Sequence, residues 1–313
     1  MAVPESRLIQ ILHHLVAAAG DANGSWGRSR RVNFALGRCL IYVRLTLKMV
    51  DAIINQPYVP SRDTLRCRCT GRHATGASTF SKRIMAACYS LIPAAGVGSR
   101  MAAQLPKQYL QVAGKPLLRH VLDTFAATPA VTHTFVVVSP EDGMIDALMV
   151  QAPELDSAAS ILRVGGASRR ESVRNGLEAI RFHVQDDDWI LVHDAARPGL
   201  TVSLVEQLIA ELEDDDVGGL LALPVVDTLK LCSPHGRSSA TVARTGLWAA
   251  QTPQMFRYAL LWQALGLSGD FTDEASAIEA LGLQPKLVMG SARNFKLTLP
   301  ADVALAELYL RST

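Results

Sequence analysis

Between residues 93 and 107 the chain gathers the residue types that handle phosphate. Pro93-Ala94-Ala95-Gly96-Val97-Gly98-Ser99-Arg100-Met101 is followed within a few positions by Pro106-Lys107. Small residues let backbone N–H groups close on an anion, and two cations beside them can stabilise charge on a pentacoordinate phosphorus. The third glycine of a dinucleotide fingerprint is missing, with Met101 in its place, and no Gly-Lys-Ser/Thr ending marks a Walker loop. The residues alone therefore leave a phosphate cradle and an ordinary turn both open. A second cluster, Val192-His193-Asp194-Ala195-Ala196-Arg197-Pro198, offers a carboxylate that could hold Mg²⁺ against nucleotide phosphates, or pair locally with Arg197. His193 reads as a packing residue. Lys296, in Asn294-Phe295-Lys296-Leu297, is a third cation, set in a run that reads as strand.

The elements that must position these groups alternate. Cys88–Pro93, Thr134–Ser139, Ile161–Val164, Trp189–His193 and Val217–Pro224 have the apolar, β-branched character of buried strands. Amphipathic helical patterns separate them at Leu117–Ala127, Arg169–Phe182 and Leu204–Leu212. Ser168 with Glu171 and Ser203 with Glu206 have the spacing of capping boxes, and Thr272 before Asp273-Glu274 has the makings of another helix start. Such alternation predicts a doubly wound α/β fold, a mostly parallel sheet with ligands beyond the carboxyl ends of its strands. Residues 225–249 break the pattern and read as a projecting β-hairpin arm. Its apolar residues Leu229, Leu231, Val242 and Trp248 would be buried by a second subunit.

The chain of 313 residues divides by charge. Residues 1–84 carry 13 Lys and Arg against 4 Asp and Glu, a net +9, while the remainder carries −7. Residues 1–84 are expected to be a basic extension of poor order, or to precede a true start at Met85, and residues 85–313 to form the working domain. An organelle transit peptide is the alternative for this segment, which would place the protein in a plastid. Five unevenly spread cysteines argue for a reducing compartment, and Cys67, Cys69 and His73 lack paired zinc-site spacing. The longest apolar stretch, Phe34–Ile54, is cut by Arg38, Arg44 and Lys48, so no membrane span is expected.

Taken together, several motifs resemble those of the 2-C-methyl-D-erythritol 4-phosphate cytidylyltransferases. They are PAAGVGSRM with PKQYL, Gly165-Gly166-Ala167-Ser168-Arg169-Arg170-Glu171-Ser172-Val173, HDAARP, Asp227-Thr228-Leu229-Lys230, Thr252-Pro253-Gln254 and Thr272-Asp273-Glu274-Ala275-Ser276, in family order from about residue 86. The resemblance implies a Rossmann-like nucleotidyltransferase that moves CMP from CTP to methylerythritol phosphate, releasing pyrophosphate, in non-mevalonate isoprenoid synthesis. It assigns triphosphate binding to Ala94, Ala95, Gly96 and Gly98, and catalysis to Arg100, Lys107 and Lys296. Gly166 and Ser172 would contact the cytosine or ribose, and Asp194 would bind Mg²⁺. Arg197, Thr252 and Thr272 would meet the sugar phosphate, with Thr228 and Arg244 reaching it from the arm of a partner in a homodimer. Ala167 stands where the family often has an acidic residue, and Ala243 where a polar one is common.

A cytoplasmic enzyme of CTP and a polyol phosphate is thus expected, with no nucleic-acid or membrane partner. Ribitol 5-phosphate is the alternative acceptor, since similar polyol phosphates differ by a few hydrogen bonds. A silent nucleotide- or RNA-binding protein is disfavoured by the acidic body.

Overall fold

The computed structural model describes residues 86–96 and 105–311. What was expected of residues 1–84, of Met85, and of Gly98 and Arg100 lies outside them. The described residues all belong to one compact unit, Thr79–Thr313.

In chain order the elements are β1 (Cys88–Pro93), β2 (Gln111–Val112), β3 (Lys115–Pro116), α1 (Leu117–Ala126), β4 (His133–Val137), α2 (Ile145–Val150), β5 (Ala159–Leu162), α3 (Arg169–Ile180), β6 (Trp189–Val192) and α4 (Val202–Leu212). They continue with β7 (Gly219–Pro224), β8 (Leu229–Cys232), β9 (Ser238–Val242), β10 (Trp248–Arg257), α5 (Tyr258–Leu265), α6 (Glu274–Glu279), β11 (Lys286–Met289) and α7 (Asp302–Arg311). Seven strands form one sheet in the order β11-β7-β10-β6-β1-β4-β5. All neighbours are parallel except β10, which runs antiparallel to both β6 and β7.

Period-two alternation builds a core on each face. Ile92, Val136, Leu191, Leu221 and Met255 pack toward α1, α2 and α4, whereas their neighbours Leu91, Val137, Ile190, Leu220 and Phe256 pack toward α3, α5 and α6. Strands buried on both faces read as continuous apolar runs, which is why they were visible in the sequence. Gly176 lets α3 lie close to the sheet: a Cβ there would stand 2.6 Å from Val137 Cγ2.

Several local expectations change. The N-cap of α4 is Thr201, whose side chain accepts from the Leu204 N–H, so Ser203 is already inside the helix. Asp273 rather than Thr272 caps α6, in a capping box completed by Ser276. Lys296 lies in irregular chain between Asn294 and α7, not in a strand. The arm is present as the β8–β9 hairpin, but Trp248 and Ala249 belong to β10 and pair with Pro224 and Leu223 of β7. β10 itself was not foreseen. Among the described residues no helix is long and apolar enough to cross a membrane.

Candidate active site

From β1 the chain winds outward to β4 and β5, and β6 then returns to the opposite side of β1. The strand order reverses there, β1 and β6 staying paired through Leu91 and Val192, and it is beyond such a reversal that α/β sheets bind ligands. A cleft of about 650 Å³ opens at this point. Ala94, Ala95 and Gly96 line it from β1, and Asp194, Ala195 and Ala196 from β6. Lys107, Gly166, Ser172 and Lys296, also expected to face a nucleotide, line it as well.

Each wall is held by identifiable bonds. Gln108 is buried and donates through Nε2 to the Ala94 carbonyl at 2.7 Å, which anchors the turn after β1. Gly165 has no room for a side chain, because a Cβ would meet Ala95 Cβ at 2.3 Å and the Val138 carbonyl at 2.8 Å. Ser168 caps α3 by accepting from the Glu171 N–H at 3.1 Å. The Ser172 hydroxyl accepts from the Gly166 N–H at 3.1 Å and donates to the Ser168 carbonyl at 2.9 Å, so it shapes the loop that faces the cleft.

Asp194 stands at the centre of the charge. Its carboxylate is 7% exposed and takes Arg169 Nε on Oδ1 at 2.8 Å and Lys296 Nζ on Oδ2 at 2.8 Å. Arg197 Nε is farther, 3.6 Å from Oδ2, so the expected local Asp194–Arg197 pair is the weakest of the three. Burial works against the charge, but the fields of Arg169, Lys296 and Arg197 outweigh it and hold the carboxyl well below the usual carboxylate range. Lys296 is delivered by its neighbour: Leu297 is fully buried and its N–H donates to the Ala196 carbonyl at 2.9 Å.

His193 is fully buried, edge-on to Phe125, and packs as expected. Its Nε2 lies 3.2 Å from the Arg197 carbonyl, which can only accept, so Nε2 carries the proton. Nδ1 then accepts from the Thr252 hydroxyl at 2.9 Å, and that hydroxyl in turn accepts from the Asp194 N–H at 3.1 Å. Burial, reinforced by Arg197 and opposed by Asp194, pushes His193 down to about 4, so it is neutral at pH 7.

Thr252, assigned to the sugar phosphate, is therefore 4% exposed with its hydroxyl spent on the turn after β6. Arg197 likewise faces inward, donating to the Asn294 carbonyl at 2.8 Å. Thr272 is exposed on the rim of a smaller hollow of about 270 Å³, reached past Ser168 and Arg169. Thr228 and Arg244 are exposed on the arm, and the Arg244 guanidinium donates to the Val226 carbonyl. Neither lines either of the two hollows just described.

Three residues with no role assigned from sequence belong to the site: Gln108, Arg169 and Glu274. Glu274, 1% exposed, grips Arg169 with both oxygens at 2.7 and 2.9 Å. Only the capping spacing and the acidic first turn of α6 hinted at Glu274. Its partner lies 105 residues away.

As a metal site, the donor set is spare. Asp194 is the one carboxylate on the described wall of the large cleft, and no group of three or more His, Cys, Asp or Glu among the described residues could hold an ion by protein alone. A single carboxylate suits Mg²⁺, which keeps waters and takes its remaining ligands from substrate phosphates.

Residues 88–312 match the family described as IspD, 2-C-methyl-D-erythritol 4-phosphate cytidylyltransferase. The enzyme of that name from Chromobacterium violaceum is 55% identical over 223 residues, 71% of this chain and 96% of its own. That from Nitrosospira multiformis is 53% identical over 228 residues, 72% of this chain and 97% of its own. A crystal structure of a 4-diphosphocytidyl-2C-methyl-D-erythritol synthase superposes with a TM-score of 0.64 at 43% identity, covering 72% of this chain and 98% of that one. The Francisella tularensis cytidylyltransferase superposes at 0.61 with 31% identity, over 72% of this chain and all of the other.

Proposed function

Because the chain belongs to the 2-C-methyl-D-erythritol 4-phosphate cytidylyltransferases, we propose that its large cleft brings CTP and the sugar phosphate together and that Lys107, Lys296 and Asp194 are its working side chains. The reaction is transfer of CMP from CTP to methylerythritol phosphate, giving 4-diphosphocytidyl-2-C-methyl-D-erythritol and pyrophosphate for isoprenoid precursor synthesis. The observation that carries the assignment of residues is the convergence of the Pro93–Gly96 turn, Lys107 and the Lys296–Asp194 pair on one cleft at the reversal of strand order.

The chemistry asks little of acid–base groups. A phosphate monoester has its second pKa at about 6 and is largely dianionic at pH 7. Its oxygen attacks the α-phosphorus of CTP, forming the new P–O bond as the bond to the β-phosphate oxygen breaks, and pyrophosphate leaves with that electron pair. Buried, neutral His193 is not needed as a base. What the protein supplies is alignment and positive charge. The turn Ala94–Gly96, together with Gly98, cradles the triphosphate. Lys107 faces the reacting phosphorus, Arg100 is its assigned partner in stabilising the transition state, and Lys296 neutralises phosphate from the opposite wall. Gly166 and the Ser172-braced loop border the base and ribose. Mg²⁺, held by Asp194 and nucleotide phosphates, would shield the charge that builds on the pyrophosphate leaving group.

The sugar phosphate enters near Thr272, and Arg197, which donates to the Asn294 carbonyl, would have to turn outward to meet it. Thr252 supports this side through His193 and Asp194 rather than by its own contact. Thr228 and Arg244 come from a partner's arm in a homodimer, a reading supported by the exposure of Leu231 and Trp248. Residues 1–84 are an extension not required for catalysis; the family match beginning at residue 88 supports this. The enzyme works in the cytoplasm, where CTP and reduced thiols coexist, consistent with unpaired Cys88 and Cys232.

Pyrophosphate release from CTP, measured with methylerythritol 4-phosphate and with ribitol 5-phosphate, with and without EDTA, tests these assignments on the full chain and on a chain starting at Met85. Release that is specific for the first acceptor, metal-dependent and equal in both chains is expected. Turnover unaffected by EDTA would overturn the metal, and an inactive shortened chain would overturn the dispensable extension.

A further inference from the structure

Asp194 is buried against Arg169, yet an arginine 2.8 Å away is a poor neighbour for a carboxylate meant to attract a divalent cation. Taken as a pair, the two sum to zero. The structure resolves this through Glu274. Arg169 offers Nε to Asp194 Oδ1 and both terminal nitrogens to the Glu274 oxygens, a bidentate fork. Glu274 is almost wholly buried, so water screens its charge little. Asp194, Arg169 and Glu274 together carry −1; Lys296 at 2.8 Å and Arg197 at 3.6 Å from Oδ2 bring the sum to +1, and without Glu274 it would be +2.

We propose that Glu274 is an electrostatic positioning residue: by neutralising Arg169 from behind, it cancels one of the three positive charges around Asp194 and so sets the enzyme's affinity for the divalent cation. The inference rests on the assignment of Mg²⁺ to Asp194. The lever is α6, whose N-cap Asp273 and capping-box Ser276 fix the helix start, with Glu274 as its first residue. Gln254 adds a brace, donating to Asp273 at 2.8 Å and accepting the Ala275 N–H at 2.7 Å. Glu274 never touches the nucleotide wall itself, since it lines only the smaller hollow beside Thr272. The segment that borders the sugar-phosphate side thus tunes the cation side through one guanidinium.

The test compares the full chain with Glu274→Gln, Arg169→Gln/Glu274→Gln and Asp194→Asn. Mn²⁺ binding is followed by electron paramagnetic resonance in the presence of cytidine 5′-(α,β-methylene)triphosphate, and kcat is followed as a function of Mg²⁺. A unit charge removed roughly 7 Å from a divalent cation weakens binding roughly 7-fold at an effective dielectric of about 80, and more at a lower one. Glu274→Gln is expected to raise the Mn²⁺ midpoint by about tenfold and to raise the Mg²⁺ concentration for half-maximal kcat in parallel. The double variant, which restores the native charge sum around Asp194, is expected to return the midpoint to within about threefold of the native value. A merely structural role would leave the double variant at least as impaired as the single one, and that result overturns the proposal. An unchanged midpoint in Glu274→Gln, with Asp194→Asn strongly weakened, also overturns it while leaving the metal assignment standing. An unchanged midpoint in Asp194→Asn overturns the metal assignment and this inference with it.

Discussion

Lys107 and His193 illustrate two kinds of residue at this site. Lys107 faces the cleft where charge grows in the transition state, so Lys107→Ala should lower kcat by about 10²-fold or more with little change in the KM for CTP. Steady-state kinetics showing near-normal kcat would remove Lys107 from the mechanism. His193 does no chemistry but stakes stability on staying neutral. The unfolded chain takes up a proton near pH 6.5, whereas the folded chain takes it up only at about 4. Acid therefore favours unfolding across that window, by about 3 kcal/mol in all. Asp194 adds its own loss only below the normal carboxylate range, because its folded-state pKa is depressed. Urea titrations of His193→Gln at pH 7, 5.5 and 4.5 should show a flatter pH dependence than the native chain; an equally steep one would mean another group is responsible.

Among the elements, α3 has the narrowest tolerance, because its first turn edges the cleft and its middle lies on β1 and β4. Gly176→Ala gains about 1 kcal/mol of helix propensity. The new Cβ would stand 2.6 Å from Val137 Cγ2 and 3.0 Å from a Leu91 methyl, inside contact range, and overpacking costs about 1–3 kcal/mol. The clash should win by about 1 kcal/mol, seen as a fall in Tm of a few degrees in calorimetry. A higher Tm would show that Val137 can give way. Most elements were legible at this scale: β1 and the start of α3 fall where composition places them, because buried parallel strands are apolar throughout and caps are local hydrogen bonds. β10 was not, since its ten residues include polar Gln251, Thr252 and Gln254, all buried and satisfied by groups far along the chain. Thr201 displaced Ser203 as a cap for a related reason: both have suitable side chains two residues apart, and the direction of the incoming chain decides between them.

For the whole molecule, the β8–β9 arm is the element that ties activity to assembly. Leu231 and Val242 are 57 and 40% exposed, which is costly for an isolated hairpin with no core. Leu231→Asp should shift the protein toward monomer in light scattering at micromolar concentration. It should also lower kcat/KM for methylerythritol phosphate through loss of Arg244 from the neighbouring cleft, while CTP binding persists. A monomeric variant with undiminished kcat/KM would sink the exchanged-arm reading.

By itself the sequence determined the alternating α/β order, the small-residue turn after β1, the carboxylate after β6 and the family, because these depend on local composition and on motifs read along the chain. Only the tertiary structure decided which charges meet. Arg169 reaches Glu274 across 105 positions, Lys296 comes back to Asp194 on a loop that reads as strand, and the Thr252 hydroxyl turns inward to His193 instead of outward to substrate. The physical reason is that a buried charge or hydroxyl must be satisfied by whatever the fold brings within about 3 Å, and strand order, not sequence spacing, selects that partner.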